Sequence, residues 1–302
     1  HVLALPFVLL AIALALSLFL GRRRLAWSGE AKWDAVFIAF CLGALGFLNT
    51  WDFPIYLALF IAAYGVCTLR ETKARGWALL EDVLYKGVTL AIAGVLPFIP
   101  FYITFRSQAG GLMPVLFNAT KVHQYLVMFG LFFFVGVVFL ANEWRAAKRR
   151  ATGMSRASWL IIWLTVVVML FSLLLRRFLP VVLSPLMALA AIILLESRAE
   201  GEEDKPTLFA LLLLLFGFLL TFAVEFVFIR DSFGTRMNTV FKFYYQAWVQ
   251  LALASAFGVY WVLESLRGSR FPALLGRYIF SGILVILVAM GLYYTCLLYT
   301  SP

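Results

Sequence analysis

Long apolar runs, each closed by a short polar or charged segment, repeat along the chain from end to end. A membrane-spanning helix needs about 20 apolar residues, with a range of roughly 17 to 25. On that basis ten runs read as helices: Val2–Leu20, Ala35–Leu48, Pro54–Leu69, Val83–Phe105, Tyr125–Ala141, Ser158–Leu175, Leu179–Leu195, Thr207–Ile229, Thr239–Leu263 and Tyr278–Leu298. The second and third are short, which predicts half-buried or tilted segments. The pattern predicts an all-α, polytopic transmembrane bundle of about ten helices in a single transmembrane domain, 1–302.

Composition agrees with the pattern. The 302 residues are 64% hydrophobic and only 13% charged, against about 25% charged in soluble domains. The formal net charge is +10, but the cations cluster between apolar runs rather than on one face. They therefore set membrane orientation and do not indicate nucleic acid. Counted over alternate loops, Lys and Arg divide 18 to 7. The richer set, which includes Arg22–Arg24 and Arg145–Arg150, is expected to face the cytoplasm. Cys41, Cys67 and Cys296 lie in or beside apolar runs, with no CxxC spacing and no Cys/His cluster. Neither a disulfide framework nor a zinc site is indicated. The acidic connector Glu196–Pro206 and the basic segment Glu143–Arg150 read as solvated loops, the latter near anionic lipid.

The unusual polar residues collect on the poorer, outer side. Twelve of the fifteen acids fall on the cytoplasmic side, leaving Asp52, Glu225 and Asp231. Four outer features share that face: the start at His1, Asn49–Pro54, Phe105–Gln124 and Arg230–Thr239. A pocket assembled from them is expected. Charge inside a bilayer is costly and marks pairing or function.

Each feature has a plain reading and a chemical one. Asp52 with Pro54 suits a helix start, the acid as cap and the proline in the first turn. Asp52 also suits a cavity-facing base or cation partner. The loop Phe105–Gln124 carries Gly110-Gly111, which permits tight turns. It also carries His123, either a proton carrier or a simple hydrogen-bonding residue. Arg176-Arg177 reads as a pair snorkelling to head groups or as a phosphate ligand.

The densest stretch is Glu225–Trp248. With a helix starting near Asn238, Lys242 and Gln246 fall on the same face as Asn238, at about 40° and 80° around the axis. Glu225 is placed at the end of the preceding helix. One reading is an internal ion-pair cluster, Glu225 or Asp231 with Arg236 or Lys242, locking a helix hairpin. The other is anion recognition, because Arg230, Arg236 and Lys242 outnumber Glu225 and Asp231. Guanidinium geometry suits phosphate.

Two motifs, Asn49-Thr50-Trp51-Asp52-Phe53-Pro54 and Arg230–Trp248, resemble the YYY family of bacterial and archaeal membrane proteins (Chlor_Arch_YYY), a family of unknown function. The matching residues of the second are Arg230, Asp231, Phe233, Arg236, Met237, Asn238, Thr239, Phe241, Lys242, Tyr245, Gln246 and Trp248. His1–Phe7 resembles the end of a further family motif, an Asp-Leu-His-Pro-His segment followed by an apolar helix. The resemblance spans the chain to about Tyr278 and implies a fragment lacking the family's N-terminal part and its C-terminal outer segment. The family is similar in architecture to membrane glycosyltransferases of the GT-C type. That likeness implies transfer of a sugar from a polyprenyl-phosphate donor at the outer face of a prokaryotic plasma membrane. It implies Asp52, Glu225 and Asp231 as candidate catalytic acids, with the main base in the missing N-terminal part. Arg230, Arg236, Asn238, Lys242, Gln246 and His123 would bind substrate or phosphate, and a divalent metal is compatible. A flippase or transporter for a lipid or anionic solute, or a non-catalytic scaffold, would use the same cluster without chemistry. Membrane lipid is the expected surrounding partner.

Overall fold

The computed structural model describes residues 2–21, 25–71, 76–106, 110–116, 118–150, 153–196, 205–230, 234–268 and 271–300. The helices are α1 (Leu5–Phe19), α2 (Ala31–Leu48), α3 (Asp52–Glu71), α4 (Trp77–Val95), α5 (Ile99–Thr104), α6 (Val122–Arg150), α7 (Arg156–Leu174), α8 (Phe178–Glu196), α9 (Lys205–Ala223), α10 (Met237–Ser265) and α11 (Phe271–Thr300). A 3₁₀ turn, Leu96–Phe98, joins α4 to α5 so that they run as one long segment. Among the described residues, nine helices are long and apolar enough to cross a membrane, and α1 is a shorter apolar helix. The ten predicted runs each become one helical segment, and the bundle is all-α and polytopic.

Boundaries follow local chemistry. Prolines occupy the first turns of α1 and α5, where a missing N–H costs nothing. Ser155 caps α7 by accepting from Ser158 N. Glu196 at the end of α8 accepts from Ser155 N and the Ser158 hydroxyl, at 2.8 and 2.5 Å. That residue, read as part of a solvated connector, instead ties α8 to the start of α7. Residues 197–204 of the connector lie outside the described residues.

Two sets of boundaries are corrected. Runs two and three extend to helices of 18 and 20 residues, because helix continues through their polar ends, and half of the α2 span is buried. The run Thr207–Ile229 is not all helix. α9 stops at Ala223, and Val227–Ile229 forms a strand, β2, antiparallel to β1 (Leu112–Pro114). The sequence Phe226-Val227-Phe228-Ile229 is aromatic and β-branched, a composition that favours strand.

The core is a stack around α9 and α10. In α9 67% of the span is buried, against 6% in α11, which lies at the periphery. Close approach needs small residues. A Cβ on Gly217 of α9 would stand 2.5 Å from Leu251 of α10, and one on Gly43 of α2 would stand 1.9 Å from the Gly94 carbonyl oxygen of α4. Nothing larger than a hydrogen fits at such distances without a shift of the neighbour, so glycine sets these crossings.

Candidate functional site

α10 organises two separate polar clusters, one at its start and one further along it. Taking Met237 as zero and about 100° per residue, Trp248 and Phe241 lie near 20° and 40°, Asn238 and Lys242 near 100° and 140°, and Gln246 and Gln250 near 180° and 220°. Arg236, Val240 and Tyr244 lie on the remaining arc. The residues expected to share one pocket therefore fall into two groups, set apart mainly along the helix axis.

The first cluster pins the small sheet to the bundle. Glu225 sits in the turn between α9 and β2, not at a helix end, and is fully buried. Its carboxylate accepts from Arg236 Nη1 at 2.8 Å, from Thr120 N at 3.0 Å and from the Thr120 hydroxyl at 2.5 Å. Arg236 also donates to Val224 O and Thr120 Oγ1. The locking reading of Glu225 with Arg236 is what the structure shows. Opposite them, Arg177 is buried and donates to the carbonyls of Glu225 and Val115, with its guanidinium over Phe226. The snorkelling expectation fails for Arg177, because the carbonyls exposed where α9 gives way to β2 need a donor. Arg176 does point outward, from a left-handed backbone at φ 54°.

The sheet carries this cluster's roof. Gly110 N donates to Arg230 O at 2.6 Å and Arg230 N to Gly111 O at 2.9 Å. The glycine pair continues the ladder beyond β1 by close backbone approach to Arg230 rather than forming a tight turn, and Gly111 has φ 107°. Between the sheet and the start of α10 lies a cavity of 560 Å³, lined mainly by Met113, Val115, Leu116, Phe228, Met237 and Val240, with Arg236 and Asn118 as polar lining.

The second cluster is the α3–α10 seam. Asp52 is 1% exposed. Its Oδ1 accepts from Asn49 Nδ2 and from Gln246 Nε2, both at 2.8 Å. Tyr56, one turn further along α3, donates to Gln246 Oε1 at 2.6 Å. Asp52 thus faces α10 rather than capping its own helix: both of these donors are side-chain amides. Its Oδ2 is buried with no partner, and so are both amide atoms of Gln250. Since Gln246 lies ten residues beyond Arg236, the two clusters are offset by about 15 Å along α10.

Lys242 stands between the seam and the lipid-facing side. It is half-buried and makes no hydrogen bond or ion pair among the described residues. Its ammonium lies within electrostatic range of the Asp52 carboxylate. Flanking it on one side are exposed Met237, Phe241 and Trp248, and on the other buried Gln246 and Gln250. Asn238 shares its face and is half-buried.

Of the remaining predicted residues, His123 is exposed in the first turn of α6, and Arg230 is exposed at the end of β2. Asp231 and His1 lie outside the described residues. The sequence pattern alone does not mark Thr120, Tyr56 or Gln250 as site residues. Tyr56 and Gln250 follow by helical spacing once Asp52 and Gln246 are placed, each lying four residues beyond one of them. Thr120 carried no signal beyond its place in a long polar loop. No group of three or more His, Cys, Asp or Glu able to hold a metal exists among the described residues.

Residues 1–251 match the sequence model of a family described as Uncharacterized membrane protein (DUF2298). No curated protein and no solved structure matches the chain.

Proposed function

We propose, for a chain that belongs to the DUF2298 family of uncharacterised membrane proteins, that it binds a lipid-linked phosphate at the α10 face. In this reading the ligand is the polyprenyl-phosphate sugar donor of a membrane glycosyltransferase of the GT-C kind. The observation that supports it is the position of Lys242. An ammonium without an ion-pair partner among the described residues stands between an exposed apolar stripe and a buried amide stripe. An amphiphile with a phosphate head and an apolar chain fits that order: head on Lys242 and Asn238, chain along Phe241 and Trp248. A cation held in a partly dry site stabilises a phosphate leaving group. The division of cations between loops supports an outward orientation for this end of the bundle.

The two buried acids take different parts. Glu225 is committed to Arg236 and Thr120 and holds the scaffold. Asp52 retains one open oxygen and sets a carboxylate beneath Lys242, within electrostatic range of its ammonium. A second reading, transport of the same lipid phosphate, is favoured by one observation: the polar seam continues inward from Lys242 through Gln246 to Gln250.

The full-length protein in liposomes, given radiolabelled polyprenyl-phosphate sugars on one side, tests both. Transfer of label to an acceptor, lost in Lys242→Ala, supports the enzyme. Movement of intact donor across the bilayer without transfer supports the transporter. Neither, with any donor, contradicts the proposal.

A further inference from the structure

The seam between α3 and α10 holds more unmet polarity than packing explains. Asp52 and Tyr56 are four residues apart on α3, and Gln246 and Gln250 four apart on α10, so each pair lies on one helix face. The two faces meet through Gln246, which binds both Asp52 and Tyr56. Gln250 is fully buried and comes within interaction range of the Tyr56 hydroxyl, but neither of its amide atoms reaches a well-aligned hydrogen bond. Asp52 Oδ2 is likewise buried and open. A buried carboxylate oxygen and a buried primary amide, both without partners, carry a heavy desolvation cost unless something occupies the seam.

We propose that this seam is a binding site for a monovalent alkali cation, with Asp52 Oδ2, the Tyr56 hydroxyl oxygen and Gln250 Oε1 as its protein oxygens and water completing the shell. The donor set is all oxygen, which suits a hard cation. It contains one negative charge, so a singly charged ion balances it. A divalent ion is disfavoured, because the other ligands are neutral and Lys242 adds a positive charge close by. Lys242 also acts as an internal competitor, since its ammonium draws on the same carboxylate. The site involves no lipid and stands or falls apart from the lipid-phosphate reading.

The test is thermal unfolding of the purified full-length protein in detergent, titrated with sodium chloride or potassium chloride against choline chloride at constant ionic strength. An ion that binds only the folded state raises the melting temperature saturably. The expected rise is about 3 to 5 °C at saturation with one of the two alkali ions. Asp52→Asn is expected to remove it. Gln250→Leu is expected to raise the half-saturating concentration about tenfold, and Lys242→Ala to lower it; tenfold corresponds to the loss of one hydrogen-bond-sized interaction. If Asp52→Asn does not fold, the opposed shifts of the other two variants carry the decision. Equal melting in alkali and choline salts, or an alkali response that is unchanged in Asp52→Asn or in both of the other variants, overturns the proposal.

Discussion

Gln246 of α10 donates to Asp52 of α3 across 2.8 Å, joining residues 194 positions apart in the chain. The same amide accepts from Tyr56, so its orientation is set from both ends. One oxygen of Asp52 is satisfied and the other left open. Gln246→Leu removes one of two donors to a buried carboxylate and orphans the Tyr56 hydroxyl. The expected loss is about 1 to 3 kcal/mol. Chemical denaturation in detergent measures it, and a change below about 0.5 kcal/mol, the usual range of neutral surface changes, would show that the bond is not made.

Glu225 and Arg236 should behave as a pair. The acid is fully buried and the arginine side chain 14% exposed. Glu225→Ala leaves a nearly buried guanidinium without its counter-charge, with an expected cost of about 3 to 5 kcal/mol. Replacing both, as Glu225→Leu with Arg236→Met, should recover part of that loss. A double mutant worse than the sum of the single changes would contradict the pairing.

Arg177→Lys keeps the charge but cannot reach two carbonyls in the fixed fork that a guanidinium provides. Melting should fall by the equivalent of about 1.5 to 3 kcal/mol. Proteolysis should open the chain near β2, since Val115 and Glu225 lose their shared donor. Arg176→Lys, at an exposed position, should leave melting unchanged.

The α2–α4 crossing should tolerate no added carbon. A Cβ on Gly43 would meet the Gly94 carbonyl at 1.9 Å, so Gly43→Ala must push the helices apart. About 1 to 3 kcal/mol is expected for overpacking of this kind. Gly282, whose added Cβ would meet nothing, supplies the control, and equal effects at the two sites would argue against the crossing.

Fold class was legible because a run of about 20 apolar residues has few other uses, and every one of the ten runs became a helical segment. What the runs could not show was where helix gives way to strand inside continuous apolarity. Val227–Ile229 is as apolar as the α9 residues before it, and its partner, Leu112–Pro114, is more than a hundred positions away. The face carrying Asn238, Lys242 and Gln246 was legible from spacing alone, as was the option that Glu225 and Arg236 lock together. Their division into two clusters along α10 was not, because it depends on which neighbour each level of the helix meets. Asp52 reads equally well as a cap or a buried acid until α3 is set against α10 at the level of Gln246.

Lys242 is the residue on which the functional account turns, and lipid retention tests it most directly. Native mass spectrometry of the full-length protein with a polyprenyl phosphate and with the matching neutral polyprenol should show retention of the phosphate alone. Lys242→Ala should weaken that retention about tenfold or more, the worth of one charge-assisted contact, while Arg230→Ala leaves it unchanged. Equal retention of phosphate and alcohol, or wild-type retention by Lys242→Ala, would contradict the account.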